Sequence, residues 1–220
     1  MRFAGHNFEP LASGALYWRA RETLLVADLH FEKMASFARR GQMLPPYDTA
    51  MTLSRLETDL RRTGARHLIA LGDTFHRVDA HSLLTTSDRM RLDAITDSVT
   101  CIWLSGNHDP APTSLGGTCL PELEVDGLRL VHEPQRGQKG FICGHLHPAA
   151  RVLINGRSSR KPCFVHDNRL MILPAYGSST GALNIMSPAF LGLFHWPALE
   201  VTMLGRDRAY PVPTRRLVAG

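Results

Sequence analysis

Val99-Thr100-Cys101-Ile102-Trp103-Leu104-Ser105-Gly106-Asn107-His108-Asp109 is the stretch that decides the reading of this chain. A run of β-branched, apolar and aromatic residues meets a serine and a glycine and then three polar side chains of different chemistry. A short apolar run bounded by glycine reads as a buried strand. Asn107, His108 and Asp109 therefore fall in the loop past its C-terminal end. The same pattern recurs on both sides. Upstream, Thr23-Leu24-Leu25-Val26-Ala27 runs into Asp28-Leu29-His30, and His67-Leu68-Ile69-Ala70-Leu71 runs into Gly72-Asp73. Downstream, Leu128-Arg129-Leu130-Val131 runs into His132, and Phe141-Ile142-Cys143 runs into Gly144-His145-Leu146-His147. Polar residues gathered at strand ends place a site along the C-terminal edge of a sheet.

The segments between these strands read as crossover helices. One begins near Pro45-Pro46-Tyr47-Asp48, carries Tyr47, Met51, Leu53, Leu56 and Leu60 at roughly helical spacing, and stops at Gly64. A second spans Ala80 to Asp97, with Leu83, Leu84, Met90, Leu92 and Ile95. These lengths allow right-handed βαβ units. The second half changes character. Leu123 to Leu130 alternates around Asp126-Gly127, a hairpin signal. Further strands are expected at Cys163–His166, Leu170–Leu173, Leu191–Phe194 and Leu199–Met203. The expectation is one α/β domain over residues 1–205, with an α/β first half and a β-rich second half sharing one core. Residues 206–220 read as a basic, mobile tail containing Pro211 and Pro213.

Bulk properties narrow the class. A chain of 220 residues suits one domain, and 44 % hydrophobic residues is ordinary for a globular core. No apolar stretch approaches the roughly 20 residues needed to span a bilayer. Met1 to His6 lacks a charged start followed by an apolar segment, so no signal peptide is expected and a cytoplasmic location is. Cys101, Cys119, Cys143 and Cys163 have no Cys-x-x-Cys spacing and read as core residues. The net charge is +5, with basic clusters at Arg39-Arg40, Arg61-Arg62, Arg151/Arg157/Arg160-Lys161 and Arg215-Arg216. Such clusters either solvate a surface or attract a polyanion.

The polar loops carry three carboxylates, five histidines and one asparagine. Each motif alone is unspecific, since Asp-x-His recurs by chance and Gly-Asp is usually a turn. Five of them at strand ends reinforce one another. Asp73 has two carboxylate oxygens and can bridge two cations; Asn107 offers an amide oxygen; the histidines offer imidazole nitrogens. Our assignment is Asp28, His30, Asp73 and His147 for one ion and Asp73, Asn107, His132 and His145 for the other. Mixed nitrogen and oxygen ligation without thiolate suits manganese, iron, zinc or cobalt. Two cations about 3.5–4 Å apart activate a shared water and neutralise a phosphoryl group. His108 is left over. It sits where a substrate phosphate would lie and suits protonation of a leaving oxygen. Asp109 could accept a hydrogen bond from His108 and fix its tautomer. Asn107, His108 and His76 are the expected substrate contacts. Gly177-Ser178-Ser179 reads either as a phosphate-binding loop or, better, as a plain one. His6, His67, His81, His166 and His195 lack ligand-like spacing, and Trp103 reads as core.

The motifs resemble those of the calcineurin-like metallophosphoesterase superfamily: Asp-x-His, Gly-Asp, Gly-Asn-His-Asp/Glu, His and Gly-His-x-His. The match spans Asp28 to His147 with every metal-binding position filled. It implies a four-layer α/β/β/α sandwich, with mixed sheets and a dinuclear site at one edge. Phe31-Glu32 follows Asp28-Leu29-His30 where a glycine is frequent, and Gly72-Asp73-Thr74-Phe75-His76-Arg77 replaces the Gly-Asp-x-x-Asp-Arg of the Ser/Thr phosphatases. These departures, with Leu44-Pro45-Pro46-Tyr47-Asp48-Thr49, Leu173-Pro174-Ala175-Tyr176-Gly177 and Thr180-Gly181-Ala182-Leu183-Asn184, resemble the ligase-associated DNA damage response endonuclease (PdeM) group. That resemblance implies a metal-dependent phosphodiesterase acting on DNA, and the expectation is an endonuclease of bacterial repair that hydrolyses phosphodiester bonds with a metal-activated hydroxide, with two manganese ions as the expected cofactor. It also implies work alongside an ATP-dependent DNA ligase and a helicase. Two rival readings use the same motifs: a phosphomonoesterase or nucleotide pyrophosphatase acting on small substrates, and a repair scaffold with a vestigial metal site.

Overall fold

The computed structural model describes residues 1–42, 44–110, 115–137, 139–154 and 156–219. Two sheets pack face to face. The first has six strands in the order β1 (Glu9–Pro10), β2 (Leu16–Trp18), β3 (Thr23–Val26), β4 (His67–Ala70), β5 (Thr100–Leu104) and β6 (Thr118–Leu120). Strands β3 to β6 run parallel, joined in register such as Leu25 to Ile69 and Ile69 to Ile102. The continuous apolar runs are explained by burial on both faces. Leu24, Val26, Leu68 and Ala70 face the helices, while Leu25, Ala27, Ile69 and Leu71 face the second sheet.

The second sheet comprises β7 (Leu123–Val125), β8 (Leu128–Leu130), β9 (Phe141–Cys143), β10 (Pro148–Ile154), β11 (Arg157–His166), β12 (Leu170–Ile172), β13 (Leu183–Asn184), β14 (Glu200–Leu204) and β15 (Ala209–Val212). Its order is β13-β10-β11-β12-β9-β8-β7, with β14 also pairing β11 and β15 pairing β14. Strands β8, β9 and β12 are parallel neighbours. The β7–β8 hairpin turns on Asp126 and Gly127, both at positive φ. Strand β15 and the Leu217–Val152 bridge lay residues 209–217, set apart above as a basic tail, against this sheet.

The helices are α1 (Lys33–Ala38), α2 (Asp48–Thr63) and α3 (Thr86–Ser98). Helix α2 starts with Asp48 in its first turn, ends with Arg61 and Arg62 in its last, and closes on Gly64 in the left-handed region. Its buried face is Thr49, Thr52, Leu53, Leu56 and Leu60; Tyr47 and Met51, expected on that face, are exposed. The expected 80–97 helix is broken. Ala80–Leu83 is a 3-10 turn, Leu84 is extended, and Thr85 starts α3 as a cap, accepting from the Asp88 N–H at 3.1 Å and donating to its carboxylate at 2.8 Å. The strand expected at Leu191–Phe194 is absent. Pro188 opens a 3-10 turn there and Gly192 reverses the chain at φ +75°.

The layers are thus helices, sheet, sheet, and an outer cover in which Phe190, Leu193 and Leu199 from short turns pack on Phe141, Val165 and Ile172. Cys101, Cys143 and Cys163 are buried, as is Trp103, whose indole N–H donates to the Gly116 carbonyl at 2.7 Å. Among the described residues no helix is long and apolar enough to cross a membrane.

Candidate metal centre

The strand order brings the C-terminal ends of β3, β4 and β5 in one sheet against those of β8 and β9 in the other. Asp28 and His30 follow β3, Asp73 follows β4, and Asn107 and His108 follow β5. His132 follows β8, and His145 and His147 follow β9. Backbone bonds lock these loops together: Asp28 N–H to Gly72 O (3.3 Å), His30 N–H to Asp73 O (2.9 Å) and Gly144 N–H to His132 O (3.1 Å).

The approach is so close that glycine is required. A Cβ on Gly106 would lie 2.2 Å from the Asp73 nitrogen and from its Oδ1. Gly72, at φ +82°, would drive one to 2.4 Å from His132 Nδ1. The residues carrying the functional groups have no such freedom. Asp28 (φ 54°), His30 (46°), Asp73 (50°), His145 (70°) and His147 (45°) all occupy the left-handed region. Such conformations are costly for residues with a Cβ and gather at functional sites.

Asp73 divides its oxygens. Oδ1 accepts the His108 backbone N–H at 2.9 Å, while Oδ2 lies 3.4 Å from His132 Nε2, 3.8 Å from His30 Nε2 and 3.9 Å from His108 Nε2. Burial alone would raise the Asp73 carboxyl, but His132 and the His108 amide outweigh it and hold it down at about 2, so it is ionised. Around His132 Nε2 lie Asn107 Oδ1 at 2.9 Å and His145 Nδ1 at 3.2 Å. His145 Nδ1 is in turn 3.0 Å from Asn107 Oδ1. His132 Nδ1 donates to the Leu71 carbonyl at 2.8 Å, leaving Nε2 for this cluster. A single ring nitrogen has at most one proton for three acceptor atoms. Burial pushes the His132 imidazole down, and the Asp73 and Asp28 carboxylates pull it up to about 9. Protons alone do not satisfy this cluster, and its four groups have the chemistry to hold a divalent cation.

The other cluster has the same character. His147 Nε2 is 3.3 Å from Asp28 Oδ1 and 3.4 Å from His30 Nε2. Burial drives the His30 imidazole down to about 2 against the pull of Asp73, so it is a neutral lone-pair donor. Asp28 is anchored by the His145 N–H, at 3.1 and 3.0 Å from its two oxygens. Among the described residues, three sets of ligand atoms each lie within 4.8 Å of one another: Asp28/His30/His147, His30/Asp73/His108 and Asp73/His132/His145. Each set could hold a divalent cation, one of them includes His108, and Asp73 belongs to two of the three.

His108 stands at the open side, its side chain 39 % exposed. Its orienting partner is not Asp109. His108 Nδ1 bonds the His76 carbonyl at 3.0 Å, and the two rings stack at 5.1 Å and 23°. Asp109 is buried and accepts the Phe75 N–H at 2.8 Å, which fixes the loop behind Asp73. The sequence neighbours point the wrong way because residue 109 turns inward where residue 108 turns out. Burial raises the Asp109 carboxyl to about 7. His76 joins the histidine cluster, 5.5 Å from the His30 ring, and burial holds it at about 4. The amides of Gly177 and Ser178 are spent on the Asp28 carbonyl and Thr52 Oγ1, so these two tie the loop to Asp28 and α2. His166 packs on Phe3 and lies 3.7 Å from Glu200, remote from the cluster in the fold. Sequence reasoning missed the carbonyls of Leu71 and His76, which carry no side-chain signature.

No family model matches the chain, and no curated protein does. Solved structures do. A Pseudomonas putida nuclease, MPE, superposes with a TM-score of 0.75 at 30 % identity, covering 96 % of this chain and 98 % of that one. A phosphoesterase from E. coli, Yfce, covers 90 % of this chain and 96 % of its own at 14 % identity and a TM-score of 0.39. The Aquifex aeolicus protein AQ665 covers 57 % and 78 % at 18 % identity and 0.40. The last two overlay too loosely to carry an argument. The first matches over nearly the full length of both chains, and the motifs that it would have to share converge here on one cluster. The chain belongs to the calcineurin-like metallophosphoesterase superfamily.

Proposed function

We infer that this protein is a metal-dependent phosphodiesterase that cuts DNA, using two divalent cations held by Asp28, His30, Asp73, Asn107, His132, His145 and His147. The supporting observation is Asp73 Oδ2, within 3.8 Å of His30 Nε2 and 3.4 Å of His132 Nε2, in a cluster of lone pairs that only positive charge satisfies. Cations held by these residues would supply an activated water and neutralise the phosphoryl oxygens. The chain's own residues do the rest. Asn107 and His108 line the open side where a phosphate approaches. His108, with Nδ1 tied to the His76 carbonyl, turns Nε2 inward to protonate the leaving oxygen. His76 backs that ring, and Asp109 holds the Asp73 loop.

The nitrogen and oxygen donors without thiolate suit manganese, iron, zinc or cobalt, and manganese is the first expectation. Similarity to a nuclease supports a polynucleotide substrate. A role in DNA repair, beside an ATP-dependent ligase and a helicase, rests on the family resemblance of the sequence, and a cytoplasmic location on the sequence reading above. The test is a screen of metal-depleted protein with each of these ions against nicked and single-stranded DNA, a small phosphodiester and a phosphomonoester. Manganese-dependent cutting of DNA and the diester is expected. Faster turnover of the monoester than of either would overturn the reading.

A further inference from the structure

Asn107 stands between two cavities that differ in charge. One, of about 380 Å³, is lined by His76, Arg77, Val78, Asp79, Asn107 and His108. The other, of about 250 Å³, has Asn107, His132, Glu122, Glu133 and Gln135 in its wall. The first belongs to the His108 ring, which is held there by the bond from Nδ1 to the His76 carbonyl at 3.0 Å. A leaving group that takes the His108 proton is therefore the part of the substrate nearest this cavity. Its volume lies at the lower end of the roughly 300–1,000 Å³ of ordinary small-molecule pockets and admits one nucleoside. Val78, 64 % exposed, supplies an apolar wall for a sugar or base.

The two sides also treat an anion differently. Arg77 Nε donates to Asp79 Oδ1 at 3.0 Å, which pins the guanidinium to the cavity wall. Its two terminal nitrogens have no partner among the described residues. Phe37 of α1 packs on His76, ring centres 5.4 Å apart, so α1 flanks the same side. Lys33 and Arg40 act through space on the His76 ring, and Arg39 on Asp79. Lys33 also feels the buried Asp48. Arg39 and Arg40 are exposed, and with Arg77 they outnumber Asp79. Across Asn107, Glu122 is neutralised by Arg129 at 2.5 Å. Glu133 has no cation within 4.0 Å among the described residues, and its charge reaches His145. A second phosphate beside the scissile one is drawn to the His108 side and repelled from the other.

We propose that the cavity beside His108 holds the leaving nucleoside and that Arg77, with the basic turn after α1, takes a further phosphate carried by that nucleoside. The site is then built for linkages inside a polynucleotide, with the strand continuing past the leaving oxygen. This assignment rests on the phosphodiesterase reading, which supplies the proton donor. The test compares the thymidine dinucleotides TpT, pTpT and TpTp on the manganese-loaded protein, with bis-p-nitrophenyl phosphate in parallel. The products of TpT show which nucleoside leaves. Thymidine 5′-phosphate means that the 3′ oxygen of the first nucleoside left, and pTpT carries the added phosphate on it. Thymidine 3′-phosphate means that the 5′ oxygen of the second left, and TpTp carries it.

The dinucleotide with its added phosphate on the leaving side should be preferred over the other by roughly tenfold in kcat/KM, the scale of one charge-assisted hydrogen bond. Arg77→Gln should bring that ratio close to one and leave turnover of the aryl diester unchanged, while Arg77→Lys keeps part of the preference. Arg39→Gln/Arg40→Gln should lower the ratio less, and at low salt only. Glu133→Gln, in the other cavity, should keep the preference for the leaving side. Equal turnover of pTpT and TpTp would overturn the proposal, as would preference for the opposite one, or an Arg77→Gln loss shared equally by the aryl diester. Cleavage of the aryl diester but of no dinucleotide would overturn it as well, and would leave the enzyme reading standing. No hydrolysis of any of the four by the unaltered protein would overturn the enzyme reading itself.

Discussion

Two buried aspartates, at opposite ends of the strand network, show how the fold distinguishes support from chemistry. Asp167 sits in the turn between β11 and β12, 1 % exposed, and Asp73 in the loop after β4, 2 % exposed. Every oxygen of Asp167 meets a donor: Oδ1 takes the N–H groups of Arg169 at 2.7 Å and Leu170 at 2.9 Å, and Oδ2 takes that of His195 at 2.8 Å. Its backbone has negative φ. Asp73 has one oxygen satisfied in the same way and one turned toward three imidazoles, on a backbone held at φ 50°. A carboxylate whose valences are filled by amides fixes a turn. One left facing lone pairs, on a strained backbone, is poised for a cation.

The sharpest way to break this contrast is Asp73→Ala. Turnover should vanish and elemental analysis should find fewer than two ions per chain; full retention of two would end the shared-ligand role. His108→Ala should keep the ions and slow hydrolysis by roughly 10²–10⁴-fold, the usual scale for a lost general acid. An unchanged rate on a substrate with a poor leaving group would remove that role. Gly106→Ala should force the β5 loop off Asp73 and destabilise the protein by about 1–3 kcal/mol in urea titration. Wild-type stability there would mean that the loop yields freely.

Asp167→Asn should lower stability by about 1–3 kcal/mol with the metal content intact, since an amide cannot accept at every position the carboxylate does. Burial alone would raise the Asp167 carboxyl, but the three backbone amides win and hold it below the usual range. A depressed carboxyl contributes stability above its unfolded pKa, about 3.9, and loses it as pH falls through the folded value. The gap between wild type and variant should therefore close below about pH 3.9 in acid-unfolding curves. A gap constant with pH would refute the ionised role. The smallest effect tests the strain itself. His147→Gly should be more stable than His147→Ala by about 1 kcal/mol, because alanine bears the left-handed penalty. At Leu153, on regular strand, alanine should beat glycine by roughly 0.5–1 kcal/mol. The same ranking at both sites in thermal melts would dismiss the strain argument.

The parallel strands were legible because burial on both faces writes an uninterrupted apolar run, as in Leu24 to Ala27. The proposed ligands were legible because each follows such a run. What could not be read was direction. Asp109 adjoins His108 yet turns inward to Phe75, a choice made by loop packing rather than by residue type. Tyr47 and Met51 fit the helical period of α2 but lie just off the stripe that β3 and β4 cover. Leu191 to Phe194 has strand-like composition, and only Gly192 at φ +75° shows why it turns. The Thr85 cap breaks the long helix with a short side chain whose role depends on Asp88 three residues on.

Four of the proposed ligands ride on the first sheet and three on the second. Filling the centre therefore rivets the two halves of the sandwich, and any ion bound only by the folded form stabilises it, by about 2.7 kcal/mol at a hundredfold excess over its Kd, and so raises the melting temperature. A chelator would act on this protein as a mild denaturant. Its heat resistance would follow the supply of metal in its surroundings.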